Sequence, residues 1–200
     1  MADPATGAAA IVDPGWDGDQ LVPAIRDFVR EHGLKVEAVW ITHGHLDHVG
    51  ALADVTREWP VPVYIHALDR TVFDYAPRAA AMYGLPWEPQ PAPDREYADG
   101  DEVSLGALRF RVLHTPGHAP GHVVLHGHGV LIAGDLLFQG SIGRTDLPMS
   151  DPRAMTRSLA RVAELPPETA VHPGHGPATT IGRELRSNPF LNGGARARGG

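Results

Sequence analysis

Thr42–Gly50 reads T-H-G-H-L-D-H-V-G and places three histidines and an aspartate within six residues, directly after the apolar run Val36–Ile41. Imidazole nitrogens and a carboxylate oxygen are donors that zinc, iron and manganese accept. A tetrahedral catalytic site needs three protein ligands and keeps a fourth position for water. His43, His45, Asp47 and His48 exceed that need on one loop, so their density points to two ions sharing them. The competing reading is a histidine-rich surface turn in which Asp47 caps the next helix. Candidate donors recur downstream, however. T-P-G-H-A-P-G-H at 115–122 offers His118, G-D at 134–135 offers Asp135, and P-G-H-G at 173–176 offers His175 between two glycines. In each, proline or glycine sets a sharp turn that would hold one donor rigidly, as metal ligation requires.

The H-x-H-x-D-H spacing resembles the signature of the metallo-β-lactamase-like hydrolases. D-P-G at 13–15, T-P-G-H at 115–118, G-D at 134–135, G-R-T-D at 143–146 and P-G-H-G at 173–176 follow in the family's order. Together they make the chain similar to the glyoxalase II-like branch, in its short bacterial form, from about Ile11 to Leu191. That resemblance implies an α/β fold, a four-layer αββα sandwich forming a single domain over 1–191 with a disordered tail at 192–200. It assigns His43, His45 and His118 to one divalent ion and Asp47, His48 and His175 to a second, with Asp135 bridging both. Zinc is the expected metal, with iron or manganese as alternatives. Asp47 and Asp135 become the catalytic carboxylates, and Arg144 falls where relatives place a basic residue near the thiol carrier's carboxylate.

The activity so implied is hydrolysis of a hydroxyacyl thioester such as S-lactoylglutathione by a hydroxide held on the metals. A persulfide dioxygenase-like enzyme with one iron is the alternative, followed by a lactonase or β-lactamase and then by a non-catalytic metal-binding module. His175 favours the hydrolase, because it completes a second metal set that the mononuclear branch does not need. Full-length glyoxalase II continues into a helical glutathione-binding extension, whereas only 25 residues follow His175. The thiol carrier is therefore left open.

Two hundred residues with 42% hydrophobic content suffice for one domain with a sizeable core. A formal charge of −7, without a long basic run, argues against a nucleic-acid surface. Cysteine is absent, so no disulfide forms, and no apolar run approaches the roughly 20 residues that span a bilayer. The reading is a cytoplasmic protein acting on a small molecule, with no nucleic-acid or membrane partner and its oligomeric state open.

The donors need elements to carry them. Residues 1–7 read as the end of a hairpin before a strand at Ala8–Val12. Relatives place one or two strands earlier, so a truncated start with an uncovered sheet edge is expected. A helix is predicted from Gly18 to His32, buried through Leu21, Ile25, Phe28 and Val29. Strand Val36–Ile41 then delivers the histidine loop, and a helix beginning near Val49 ends at Trp59-Pro60. Strand Val61–Ile65 precedes His66, read as structural, and the proline-rich stretch 84–93 reads as a loop beside the substrate. Strand Leu108–His114 leads to His118 and its neighbour His122, with His114, His126 and His128 read as packing or surface residues. Strand Gly129–Ala133 leads to Asp135. Asp151-Pro152 opens a helix buried through Met155, Ser158, Leu159 and Val162. Strand Ala170–His172 leads to His175, and a helix is expected over Thr179–Ser187.

Overall fold

A computed structural model describes residues 1–194. Its contacts divide into two units, Met1–Tyr97 with Val103–Arg109, and Ala98–Glu102 with the chain from Phe110 onward.

The first unit is built on four strands: the first, A-A-A-I-V at 8–12, is a continuous apolar run and the second ends in the buried Ala38-Val39-Trp40, as expected of strands covered on both faces, whereas the fourth, R-E-Y at 95–97, buries only its tyrosine. These are β1 (Ala8–Val12), β2 (Lys35–Trp40), β3 (Val63–His66) and β4 (Arg95–Tyr97), all parallel in the order β1-β2-β3-β4. Parallel pairing requires crossovers, here α1 (Gly18–Glu31), then α2 (Leu46–Val49) with α3 (Leu52–Glu58), then α4 (Arg70–Met82). Val22, Val49, Leu52, Val55, Phe73 and Ala76 from these helices form one core with Val39, Ile41, Val63 and Ile65 of the sheet. Because the strands are parallel, their carboxyl ends share one side. The turn at Asp13, the loop Thr42–Gly50 and Asp69 therefore all leave the sheet at the same edge.

Three local features differ from expectation. Phe28 is 53% exposed and stacks on His32 at 4.1 Å, because the buried stripe of α1 passes through Val22, Ile25 and Val29 instead. Helix α4 was not foreseen, although Val72, Phe73, Ala76 and Ala80 carry a helical period and are buried. Residues 1–3 return antiparallel along β1, with Ala2 opposite Ala9 and Met1 exchanging backbone hydrogen bonds with Ala10, so this part of the sheet edge is hydrogen-bonded. The loop 84–93 is irregular, as expected, but Gln90 ties it to α3: its side-chain oxygen accepts from the Ala53 amide.

The second unit's sheet has the order β12-β11-β8-β7-β6-β5. Its strands are β5 (Glu102–Leu105), β6 (Leu108–His114), β7 (Val123–Gly127), β8 (Val130–Gly134), β11 (Ala170–Pro173) and β12 (Thr179–Thr180); β9 (Leu137–Phe138) and β10 (Ser141–Ile142) form a separate hairpin. Most of β5 and the start of β6 count with the first unit. Helices α5 (Pro152–Ala163) and α6 (Ile181–Ser187) pack Met155, Leu159, Val162 and Ile181 onto Leu113, Val124, Leu131, Ala133 and Val171. Asp151 caps α5 by accepting from the Arg153 and Ala154 amides, and Pro152 occupies the first turn, as the sequence indicated.

Two pairings matter for the donors. Antiparallel β6 and β7 place His114 opposite Val123, which closes 115–122 into a loop. Parallel β8 and β11 place Pro173 beside Gly134, so Asp135 and the turn holding His175 emerge side by side. Residues 192–194 continue a turn through hydrogen bonds of Asn192 and Gly194, and the rest of the expected disordered tail, 195–200, lies outside the described residues. Among the described residues no helix is long and apolar enough to cross a membrane.

Candidate metal centre

In the first unit the histidine loop is held from below by two carboxylates. Asp13, at positive φ in the turn after β1, accepts from the Thr42 amide at 2.7 Å and the Thr42 hydroxyl at 2.6 Å, and its carboxylate lies 3.0 Å from His48 Nδ1. Asp69, fully buried at the start of α4, accepts from the Gly44 amide. Gly44 has no room for a side chain, since a Cβ there would lie 2.6 Å from the Phe73 backbone nitrogen. The loop thus sits directly on α4.

These anchors decide which nitrogen of each ring is engaged and which points away from the anchor. His43 is buried with Nδ1 3.0 Å from Thr42 Oγ1, and His48 is buried with Nδ1 on Asp13. In both rings Nε2 is left as the donor atom, the arrangement by which partners of ligating histidines set tautomer and orientation. The rings of His43 and His48 lie 4.0 Å apart, and those of His43 and His45 4.9 Å. Donor atoms of Asp13, His43 and His48 fall within 4.8 Å of one another, but the Asp13 oxygens already serve Thr42 and His48. Asp47 does not cap α2. The cap position is His45, and the exposed Asp47 carboxylate lies 3.9 Å from His48 Nε2. Nearby Tyr97 is buried, and desolvation, the Asp13 carboxylate and Tyr64 push its phenol well above the usual range.

The second unit gathers the other three candidates. His118 Nε2 lies 3.5 Å and His175 Nε2 3.6 Å from the same oxygen, Oδ2 of Asp135. His118 Nδ1 is held at 2.8 Å by the Arg144 carbonyl oxygen, again leaving Nε2 as the donor. The bend that aims His118 depends on Gly117, at φ +145°, where a Cβ would lie 2.4 Å from the Met155 backbone. Ser158 donates to the Pro116 carbonyl and Ser150 to the His118 carbonyl, fastening the loop to α5 and the segment before it. Asp135 is crossed by Gly143, whose Cβ would overlap the Asp135 carbonyl oxygen.

His43, His45, Asp47 and His48 therefore come together in one unit, and His118, Asp135 and His175 in the other. The buried imidazoles have their Nδ1 atoms engaged and their Nε2 atoms directed elsewhere, which fits a nitrogen and carboxylate donor set for a borderline dication. Arg144 serves this set through its carbonyl. Its guanidinium makes a bidentate, exposed pair with Asp146 at 2.7 and 3.0 Å. His66 is structural, accepting from the Leu68 amide, and His128 occupies the β7–β8 turn at φ 52°. Sequence reasoning overlooked Asp69, which no short motif marks. It treated His122 only as a neighbour of His118, although that ring is buried against Asp135.

Residues 4–175 match the model of the metallo-beta-lactamase superfamily. The hydroxyacylglutathione hydrolase GloC of Haemophilus influenzae is 39% identical over 189 residues, covering 92% of this chain and 87% of that protein. Among solved structures, TTHA1623 in a di-iron-bound form superposes with a TM-score of 0.82 at 45% identity, covering 90% of this chain and 88% of that one. The B3 metallo-beta-lactamase BLEG-1 superposes with a TM-score of 0.86 at 36% identity, covering 96% and 91%.

Proposed function

The chain belongs to the metallo-β-lactamase superfamily and has its α/β fold, and from that premise we propose that it is a metal-dependent hydrolase cleaving hydroxyacyl thioesters to the hydroxy acid and free thiol. In this reading His43, His45 and His118 hold one ion, Asp47, His48 and His175 hold the other, and Asp135 is common to both. The observation that carries it is the approach of His118 Nε2 and His175 Nε2 to one oxygen of Asp135, which supports a shared carboxylate. The hydroxyacylglutathione hydrolase relative supports the thioester class. The di-iron form of TTHA1623 supports two ions and keeps iron beside zinc as the metal.

When bound, such ions lower the pKa of a coordinated water to about 7 and polarise an acyl carbonyl. The chain's own residues make that possible by holding still. Asp13, Thr42 and the Arg144 carbonyl keep Nε2 of His48, His43 and His118 available, so little reorganisation is needed on loading. No serine or cysteine nucleophile is required, in keeping with a chain that has no cysteine. Arg144 is the candidate contact for an anionic thiol carrier. Its pair with Asp146 is exposed, and solvent screening leaves such a pair weak enough for a substrate carboxylate to displace it.

The test is a substrate panel on the zinc-loaded protein: hydroxyacyl esters of several thiols, a lactone and a β-lactam. Thioester cleavage that disappears with a chelator and returns with metal is expected. Lactam or lactone cleavage without thioester cleavage would move the assignment to another hydrolase of the superfamily.

A further inference from the structure

The loop 115–122 carries a second buried histidine that ligates nothing in the reading above. His122 is 0% exposed, and its Nε2 accepts a hydrogen bond from the backbone amide of Asp135 at 3.0 Å. An imidazole nitrogen can accept only if it carries no proton, so the ring's proton must sit on Nδ1. There it meets Thr115 Oγ1 at 3.0 Å. Thr115 is itself fixed, since its amide donates to the His122 carbonyl at 2.8 Å across the mouth of the loop. The result is a directed chain, His122 Nδ1–H to the Thr115 hydroxyl and Asp135 N–H to His122 Nε2.

This chain reaches the backbone amide of Asp135, a residue that lies just outside the strand ladder. The residue follows the end of β8 after Gly134 at φ 44°, in a turn closed by the Leu136 amide donating to Ala133. From above it is fitted against Gly143. An imidazole is long and flat enough to reach the amide from the residue just before β7, whereas the next residue, Val123, already belongs to the ladder. His118 and His122 bracket the same short loop, so the loop that supplies one Nε2 also supports the backbone of the carboxylate 3.5 Å from it.

We infer that His122, clamped in its Nδ1–H tautomer by Thr115, is a positioning residue that fixes Asp135 relative to His118 and His175. The inference rests on the metal-ligand role proposed for Asp135. Such supporting partners are typically worth 10–100-fold in metal affinity. His122→Leu removes the acceptor while leaving an apolar side chain in the buried site. His122→Gln restores an acceptor at about the same reach.

The experiment measures zinc affinity by competition with a chromophoric chelator for wild type, His122→Leu, His122→Gln and Thr115→Val. It is paired with nitrogen-15 NMR of the histidine rings in the wild-type zinc protein. A neutral Nδ1–H signal for His122 is expected, with affinity about 10–100-fold weaker in His122→Leu. His122→Gln should recover most of that loss, and Thr115→Val should fall between. An Nε2–H tautomer, unchanged affinity in a folded His122→Leu protein, or no rescue by glutamine overturns the positioning role. The tautomer reads that role even if the leucine variant does not fold. Failure of wild type to bind zinc, with the Nδ1–H tautomer present, would instead remove the metal reading and the inference built on it.

Discussion

His48 Nδ1 stands 3.0 Å from the carboxylate of Asp13, a residue 35 positions earlier that also holds the Thr42 amide and hydroxyl. One carboxylate at the end of β1 thus fixes both the entry and the last histidine of the histidine loop at the end of β2. Asp13→Asn keeps the size and the tolerance of positive φ but leaves one acceptor oxygen for three donors. A 10–100-fold loss of zinc affinity with the fold retained is expected, measured by chelator competition beside circular dichroism. Unchanged affinity would show that the anchor does not tune the ligand.

The proposed sharing of Asp135 between two ions separates two neighbouring variants. Asp135→Ala should reduce binding of both ions, whereas His118→Ala should weaken chiefly one. Metal analysis after exhaustive loading and gel filtration distinguishes these outcomes. A single tight equivalent in the wild-type protein would contradict the dinuclear reading.

Arg144→Ala addresses the substrate end. If its guanidinium leaves Asp146 for the carrier's carboxylate, KM should rise more for an anionic thioester than for a neutral one. Equal changes for both substrates would reduce Arg144 to its surface pair and its carbonyl contact with His118.

Acid stability has a local probe at Asp3. The Ala107 amide, then the Thr6 hydroxyl and the Ala5 amide, hold its carboxyl below the usual carboxylate range. A folded-state pKa below the unfolded one stabilises fully above about pH 4, and the contribution is lost as pH falls through the lower, folded value. Asp3→Asn should therefore melt below wild type at neutral pH, with the gap closing in acid. A gap that stays constant down to pH 2.5 would show that these hydrogen bonds carry no linkage.

How much of this the sequence disclosed follows from the range of each interaction. The gathering of the candidate donors was legible because His43 to His48 are packed into one motif, and His118, Asp135 and His175 each sit in a proline or glycine turn after an apolar strand. The cap and buried stripe of α5 were equally local. The supports were not. Asp69 meets Gly44 across 25 positions and His122 meets Asp135 across 13, and neither carries a pattern that names its partner. Gly117 reads as part of a sharp turn and Gly44 and Gly143 carry no structural reading, yet the structure uses all three where a Cβ would strike Met155, Phe73 or Asp135. Helix α4 was missed because Pro77 and its run of alanines blur a period that packing nevertheless uses.

The most direct measurement of the proposed chemistry is anaerobic release of free thiol from a hydroxyacyl thioester by the zinc-loaded protein. Thioester hydrolysis needs no redox change at the metal, whereas sulfur oxygenation needs a redox-active iron with positions for substrate and oxygen. Thiol release without oxygen, abolished by removing the metals, is the predicted result. Oxygen consumption with a persulfide in the iron form alone, and no anaerobic thiol release, would contradict it.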